Sequence, residues 1–222
     1  MMRLALVAVS LCVTLASSTA LAASPAPAAA PALSLEQVLA RNLEARGGAA
    51  KIAALRSLRL TGRVITGSGD DPTEAAFGQL QSRPANLRAE FTKQGLTSVS
   101  GYDSREGWAL DPFNGRRDAQ RLSVDDARGL SQAADLEGPL VNWAQKGHRV
   151  ELLGTEDVDG TEAYKLRVAL KDGDVLFVYL DPDYFLEIRI DAVRHLRGTE
   201  RITETDLGSY EQVGGGLDSL LD

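Results

Sequence analysis

Few residues in this chain have side chains suited to covalent chemistry, and their spacing does not bring them together. Cys12 is the only cysteine, and His148 and His195 are the only histidines. A zinc site needs several ligands converging, and a nucleophile needs a base within reach. The two histidines fall on different expected elements, with no carboxylate at a ligand-like spacing. The acidic pairs Asp70-Asp71, Asp125-Asp126 and Asp157/Asp159 fit turns and helix caps, where short polar side chains bond nearby backbone. Gly214-Gly215-Gly216 lacks the Lys-Ser/Thr and the following helix of a phosphate loop. No catalytic residue, metal or cofactor is therefore expected, and binding chemistry is left. Its candidates are one arginine beside a turn, Arg83, and the large apolar side chains Phe91, Trp108, Leu110, Phe113, Leu140 and Trp143. Taken singly, each aromatic fits ordinary core. As a set they fit a space under a curved sheet that is either filled by side chains or open to an apolar ligand.

The elements that must carry these residues read as helices followed by a long meander. Ser34 and Gln37 form a capping box that opens a helix, with Leu35, Val38, Leu39, Asn42, Leu43 and Arg46 at helical spacing. Gly47-Gly48 ends it, and Ala49–Leu55 is a second short helix. Alternation then predicts strands over Leu58–Val64, Ala76–Arg83, Leu87–Lys93, Leu96–Tyr102 and Glu106–Leu110. Ser123 with Asp126 caps a short helix to about Leu130, and Pro139 starts another that Gly147 ends. Two helices interrupting a meander belong over an opening. Strands resume at Arg149–Leu153, Tyr164–Leu170, Val175–Leu180, Leu186–Ile190, Glu200–Asp206 and Ser209–Val213. Lys171-Asp172-Gly173-Asp174 marks a hairpin. The nearly all-apolar Val175–Leu180 predicts cover on both faces.

Targeting and charge bound the setting. Met1-Met2-Arg3, the apolar run Leu4–Leu15 and Ala20-Leu21-Ala22 form a signal peptide pattern, with cleavage expected after Ala22 and export to the periplasm. Cleavage removes Cys12, so no disulfide is expected. Residues 23–33 are Ala/Pro-rich and read as a linker, residues 34–216 as one domain, and residues 217–222 as an atypical tail. The chain carries a formal net charge of -7. That balance argues against nucleic acid and anionic membrane surfaces as partners.

The corner Arg83-Pro84-Ala85-Asn86, the hairpin at Asp103 to Trp108, and Pro112 resemble in order and spacing the LolA/LolB lipoprotein-carrier superfamily. The likeness runs from roughly Leu35 to Gly215. It implies an α+β fold: a half-open antiparallel β-barrel with the N-terminal helix and short middle helices packed in or over its concave face. It also implies a non-catalytic periplasmic carrier that shields lipoprotein acyl chains or another lipid-like ligand on the way to the outer membrane. A monomer with inner- and outer-membrane partner proteins follows from the same likeness. In the family the basic residue matching Arg83 hydrogen-bonds the lid backbone and controls its closing, and a guanidinium suits that role because it can hold several acceptors at once. A lipid-sensing regulatory domain of the same fold and an envelope hydrolase are the alternative readings. Members continue after a Tyr-x-x-Val-Gly-Gly segment with another strand pair. Tyr210–Gly215 is present, but Gly216–Asp222 lacks strand alternation, so a shortened C-terminus and an exposed sheet edge are expected.

Overall fold

A computed structural model describes residues 33–66, 73–196, 199–213 and 216–221. The expected signal peptide, most of the linker, the loop at 67–72 and Gly214-Gly215 lie outside the described residues.

Two helices come first, α1 (Leu35–Ala45) and α2 (Ala49–Ala54). The capping box at the start of α1 is formed: Ser34 N–H donates to Gln37 Oε1 at 2.8 Å, and Gln37 N–H to Ser34 Oγ at 3.3 Å. The two backbone donors that most need partners at that end are thereby satisfied. Gly47 and Gly48 take φ of 101° and 87°, the left-handed region that lets the chain turn from one helix into the next.

The first sheet is an antiparallel meander of β1 (Ser57–Thr66), β2 (Thr73–Ser82), β3 (Asn86–Lys93), β4 (Leu96–Asp103), β5 (Gly107–Leu110) and β6 (Gln120–Arg121). Helix α3 (Val124–Ala133) follows, capped by Ser123, whose Oγ accepts the Asp126 N–H at 3.1 Å. The second sheet is again a meander: β7 (Arg149–Val158), β8 (Thr161–Ala169), β9 (Val175–Leu180), β10 (Glu187–Leu196), β11 (Thr199–Val213) and β12 (Gly216–Leu221). Together they make an open α+β arrangement, two antiparallel sheets with few helices that do not close into a barrel.

The main core lies on one face of the second sheet. Leu166, Val168, Leu176, Val178 and Leu180 share that face by register, and Val38 of α1 and Leu140 pack on them. Asn42, fully buried on α1, donates from Nδ2 to the Phe185 carbonyl at 2.8 Å, which fixes α1 to the turn between β9 and β10. Opposite the core, Val158, Ala163 and Tyr179 form a smaller buried cluster. Strand β9 is thus buried on its core face and only partly covered on the other, where Val175 and Phe177 remain half-buried beside Tyr179.

Three segments differ from the sequence reading. Pro139–Gly147 forms turns and not a helix: Asn142 takes φ of 53°, which breaks helical geometry after three residues, and the Lys146 N–H reaches back to the Asn142 carbonyl at 3.0 Å. Strand β11 runs unbroken where two strands are expected. The expected break is a bulge at Ser209, φ 47°, with a register shift between Gly208 and Glu211. Gly216–Leu221, expected to lack strand character, pairs with β11, because backbone hydrogen bonding to a neighbouring strand does not need side-chain alternation.

Candidate functional site

An open cavity of about 530 Å³ lies between α1, α2 and the 137–145 segment. Leu39 and Leu43 line it from α1, Ile52 from α2, and Leu140, Val141 and Trp143 from the turn segment. Helical spacing puts Leu39 and Leu43 on one stripe. The left-handed Asn142 lets Val141 and Trp143 both border the cavity.

Arg83 closes one edge of this arrangement. Its Nε donates to the Leu55 carbonyl at 2.7 Å and its Nη2 to the Ile52 carbonyl at 3.0 Å, which also accepts the Leu55 N–H at 3.2 Å, so it reinforces the C-terminal end of α2. Nη1 donates to Glu137 Oε1 at 3.1 Å. Glu137 Oε2 accepts from Asn142 Nδ2 at 3.1 Å, and Lys146 Nζ stands 3.4 Å from it. The Glu137 carbonyl accepts from Arg46 Nη1 at 3.0 Å. Glu137 therefore joins α1, the β2–β3 corner and the turn segment. Burial pushes its carboxyl up. The hydrogen bonds from Asn142 and Arg83 and the charge of Lys146 outweigh that and hold it below the usual glutamate range.

The other sequence candidates are not part of this cavity. Register places Phe91 on the same face of the first sheet as Leu87 and Phe77, the face on which α3 lies. Phe113 packs edge-on against Phe91, with ring centroids 6.1 Å apart, and remains exposed. Trp108 and Leu110 stand opposite Gly101 and Val99, which alternation puts on the reverse face. Trp108 covers Gly101 so closely that a Cβ there would come within 2.5 Å of its ring. Of the apolar candidates, only Leu140 and Trp143 line the cavity, and Arg83 stands at its edge through Glu137 and α2. Glu137, Leu39, Leu43 and Ile52 were missed. The available signal was the apolar stripe of α1. For Glu137 no local pattern exists, because its partners come from three separate segments: the end of α1, the β2–β3 corner and the turn segment itself.

A second polar cluster fixes α3. Asp174 is buried in the β8–β9 hairpin and accepts from Gln132 Nε2 at 2.8 Å and Arg128 Nη1 at 3.1 Å, with Arg194 Nε 3.5 Å away. On the other side of α3, Ala127 sits against Gly107, and Gln81 donates to the Ala133 carbonyl. This helix bridges the two sheets mainly through small and polar side chains.

Among the described residues, no three or more His, Cys, Asp or Glu side chains converge as a metal site. His148 Nδ1 accepts the Lys171 N–H at 3.2 Å, and burial together with the charge of Lys146 lowers its pKa. His195 lies on β10, in register with Glu200. No helix among the described residues is long and apolar enough to cross a membrane.

The fold is LolA-like. A LolA superfamily protein from Nitrosomonas europaea superposes with a TM-score of 0.55 at 15% identity, over 83% of this chain and 82% of the other. A domain described as an outer membrane lipoprotein-sorting protein from Vibrio parahaemolyticus gives 0.52 at 12% identity, over 83% of each chain. A DUF1329 family protein from Desulfovibrio piger gives 0.50 at 12% identity, over 82% of each. No family model matches the sequence, and no curated protein matches it.

Proposed function

We propose that this chain is a non-catalytic periplasmic carrier that shields lipoprotein acyl chains, or a similar lipid, on the way to the outer membrane. The observation that carries this reading is the apolar cavity with Arg83 and Glu137 at its edge. Its volume of about 530 Å³ falls within the ~300–1,000 Å³ typical of small-ligand sites. Each methylene buried there contributes about 0.8 kcal/mol, so an acyl chain binds without specific polar contacts. Release then requires movement of the cover. Arg83 is the latch of that movement, because it ties α2 to Glu137 and through it to the turn segment. The signal peptide pattern supplies the route, with cleavage after Ala22 and delivery to the periplasm by export. Partner proteins of the inner and outer membrane load and unload the cargo.

The test is mass spectrometry of the organic extract of chain exported to the periplasm. A co-purified lipid or acylated peptide is expected. A clean extract from folded protein, with no uptake of a fluorescent acylated peptide, refutes the carrier reading. Arg83→Leu should alter release of that peptide while lowering unfolding free energy by no more than about 2 kcal/mol. Unchanged binding and transfer in this variant would remove the latch.

A further inference from the structure

The four outer edges of the two sheets are not protected alike. Strand β6 is two residues long. Strand β7 is broken by a bulge between Leu152 and Gly154, and β12 pairs through another register shift. These are the usual devices that keep a sheet edge from pairing with foreign strands. Strand β1 has none of them. It runs ten residues in unbroken register with β2, contains no proline, and among the described residues nothing pairs with its outer edge.

The two faces of β1 differ in chemistry. Leu58, Leu60 and Val64 share the face of Gln81, Gln79 and Ala75, the side on which α3 lies, and each is only half-buried. Arg59 and Arg63 point the other way and are exposed, with Arg56 just before the strand. Arg63 pairs with Glu74 at 3.1 Å across open solvent, and β1 itself carries no carboxylate. This basic strip lies on a chain of net charge -7. A second copy is equally acidic and is repelled over most of its surface, so self-pairing is disfavoured.

We propose that the outer edge of β1 is a docking strip for an extended polypeptide segment of a partner protein, in which apolar and acidic residues alternate. Main-chain hydrogen bonds add the segment as a further strand. Its apolar side chains extend the row of Leu58, Leu60 and Val64, and its carboxylates meet Arg59 and Arg63 on the other face. The inference does not depend on lipid binding, and its test uses no lipid.

The experiment titrates the full chain into a fluorescein-labelled peptide of alternating valine and glutamate, read by anisotropy. Saturable binding is expected. A valine–lysine peptide of the same length should bind on the order of tenfold more weakly or worse, and so should the valine–glutamate peptide to Arg59→Glu/Arg63→Glu. N-methylation of alternate peptide nitrogens on one edge should abolish binding, and β1 amides should gain hydrogen-exchange protection in the complex. No binding, indifference to N-methylation, or equal affinity for the lysine peptide would overturn the proposal. Sedimentation showing a dimer that Ile65→Lys dissolves would also overturn it, since a second copy would then hold the edge. The lysine peptide keeps the charge test intact if the double arginine variant does not fold.

Discussion

The two sheets have the same number of strands and the same meander order, yet their inner faces are covered by different chemistry. In the second sheet, Leu166, Val168, Val178 and Leu180 are buried without remainder under α1, and the fully buried Asn42 of that interface donates to the Phe185 carbonyl and to Glu187. In the first sheet, Leu58, Leu60, Phe77 and Phe91 are only half-buried, and α3 meets the sheet through Ala127, Gly107 and a glutamine. Helix α3 is held to the second sheet by the Asp174 cluster. An apolar interface gains from every methylene and has no single point of failure. A polar one depends on a few directional contacts, so it can be undone locally. The second sheet with α1 should therefore resist local opening, and α3 over the first sheet should give way first.

The largest effect that would test this contrast is Leu166→Ala. It should cost about 4 kcal/mol of unfolding free energy, whereas Phe91→Ala on the half-buried face should cost less than about half as much. Equal losses in denaturant titrations would erase the distinction. Asp174→Asn comes next, at about 3 kcal/mol, because it leaves Arg128 and Arg194 without their shared anion. Hydrogen exchange should show the loss concentrated in α3, with β8 and β9 amides still protected. A uniform loss would mean that α3 is not a separable cover. Gly107→Ala should cost about 2 kcal/mol, since its Cβ would fall 2.5 Å from that of Ala127 and push α3 away from the first sheet. Gly101→Ala provides the control on the reverse face: it should displace Trp108 and leave α3 in place.

The smallest effect is set by pH at Glu137. Its carboxyl is held below the ordinary glutamate value of 4.5, so the unfolded chain binds this proton more readily than the folded one. The stabilisation is fully present above that value and is lost as pH falls through the lower folded one. His148, also shifted down, acts with the same sign from its ordinary value of 6.5 downward. Acid should therefore loosen the turn segment around Trp143, read as a change in its fluorescence, before global unfolding. Glu137→Gln should blunt the carboxylate part of that response.

Much of the fold was legible where one local signal decides the outcome. The capping residues of α1 and α3, the glycine pair after α1 and the Asp-Gly hairpin at 171–174 all lie where the residues alone place them. The misreadings have a common cause. Pro139 and Gly147 bracket what looks like a helix, but Asn142 adopts a left-handed conformation in a segment held by Glu137 and Lys146 contacts. Gly216–Leu221 lacks alternation and still pairs, because β11 offers it an edge. The candidate site was legible in type more than in membership. Apolar residues and one arginine were expected, and Leu140 and Trp143 do border the cavity, but Trp108 and Leu110 face away from Phe91, a fact set by register across β3, β4 and β5.

By itself the sequence determined that this is a mostly antiparallel chain with an amphipathic opening helix, capped elements and an acidic balance. These are properties of short windows and of composition, where periodicity and capping act within a few residues. Tertiary structure alone decided which apolar residues share a cavity, that Glu137 gathers Arg83, Asn142 and Lys146 while Arg46 holds its carbonyl, and that β1 ends its sheet unprotected. Those outcomes depend on strand register and on contacts between segments up to 91 residues apart, which no local pattern encodes.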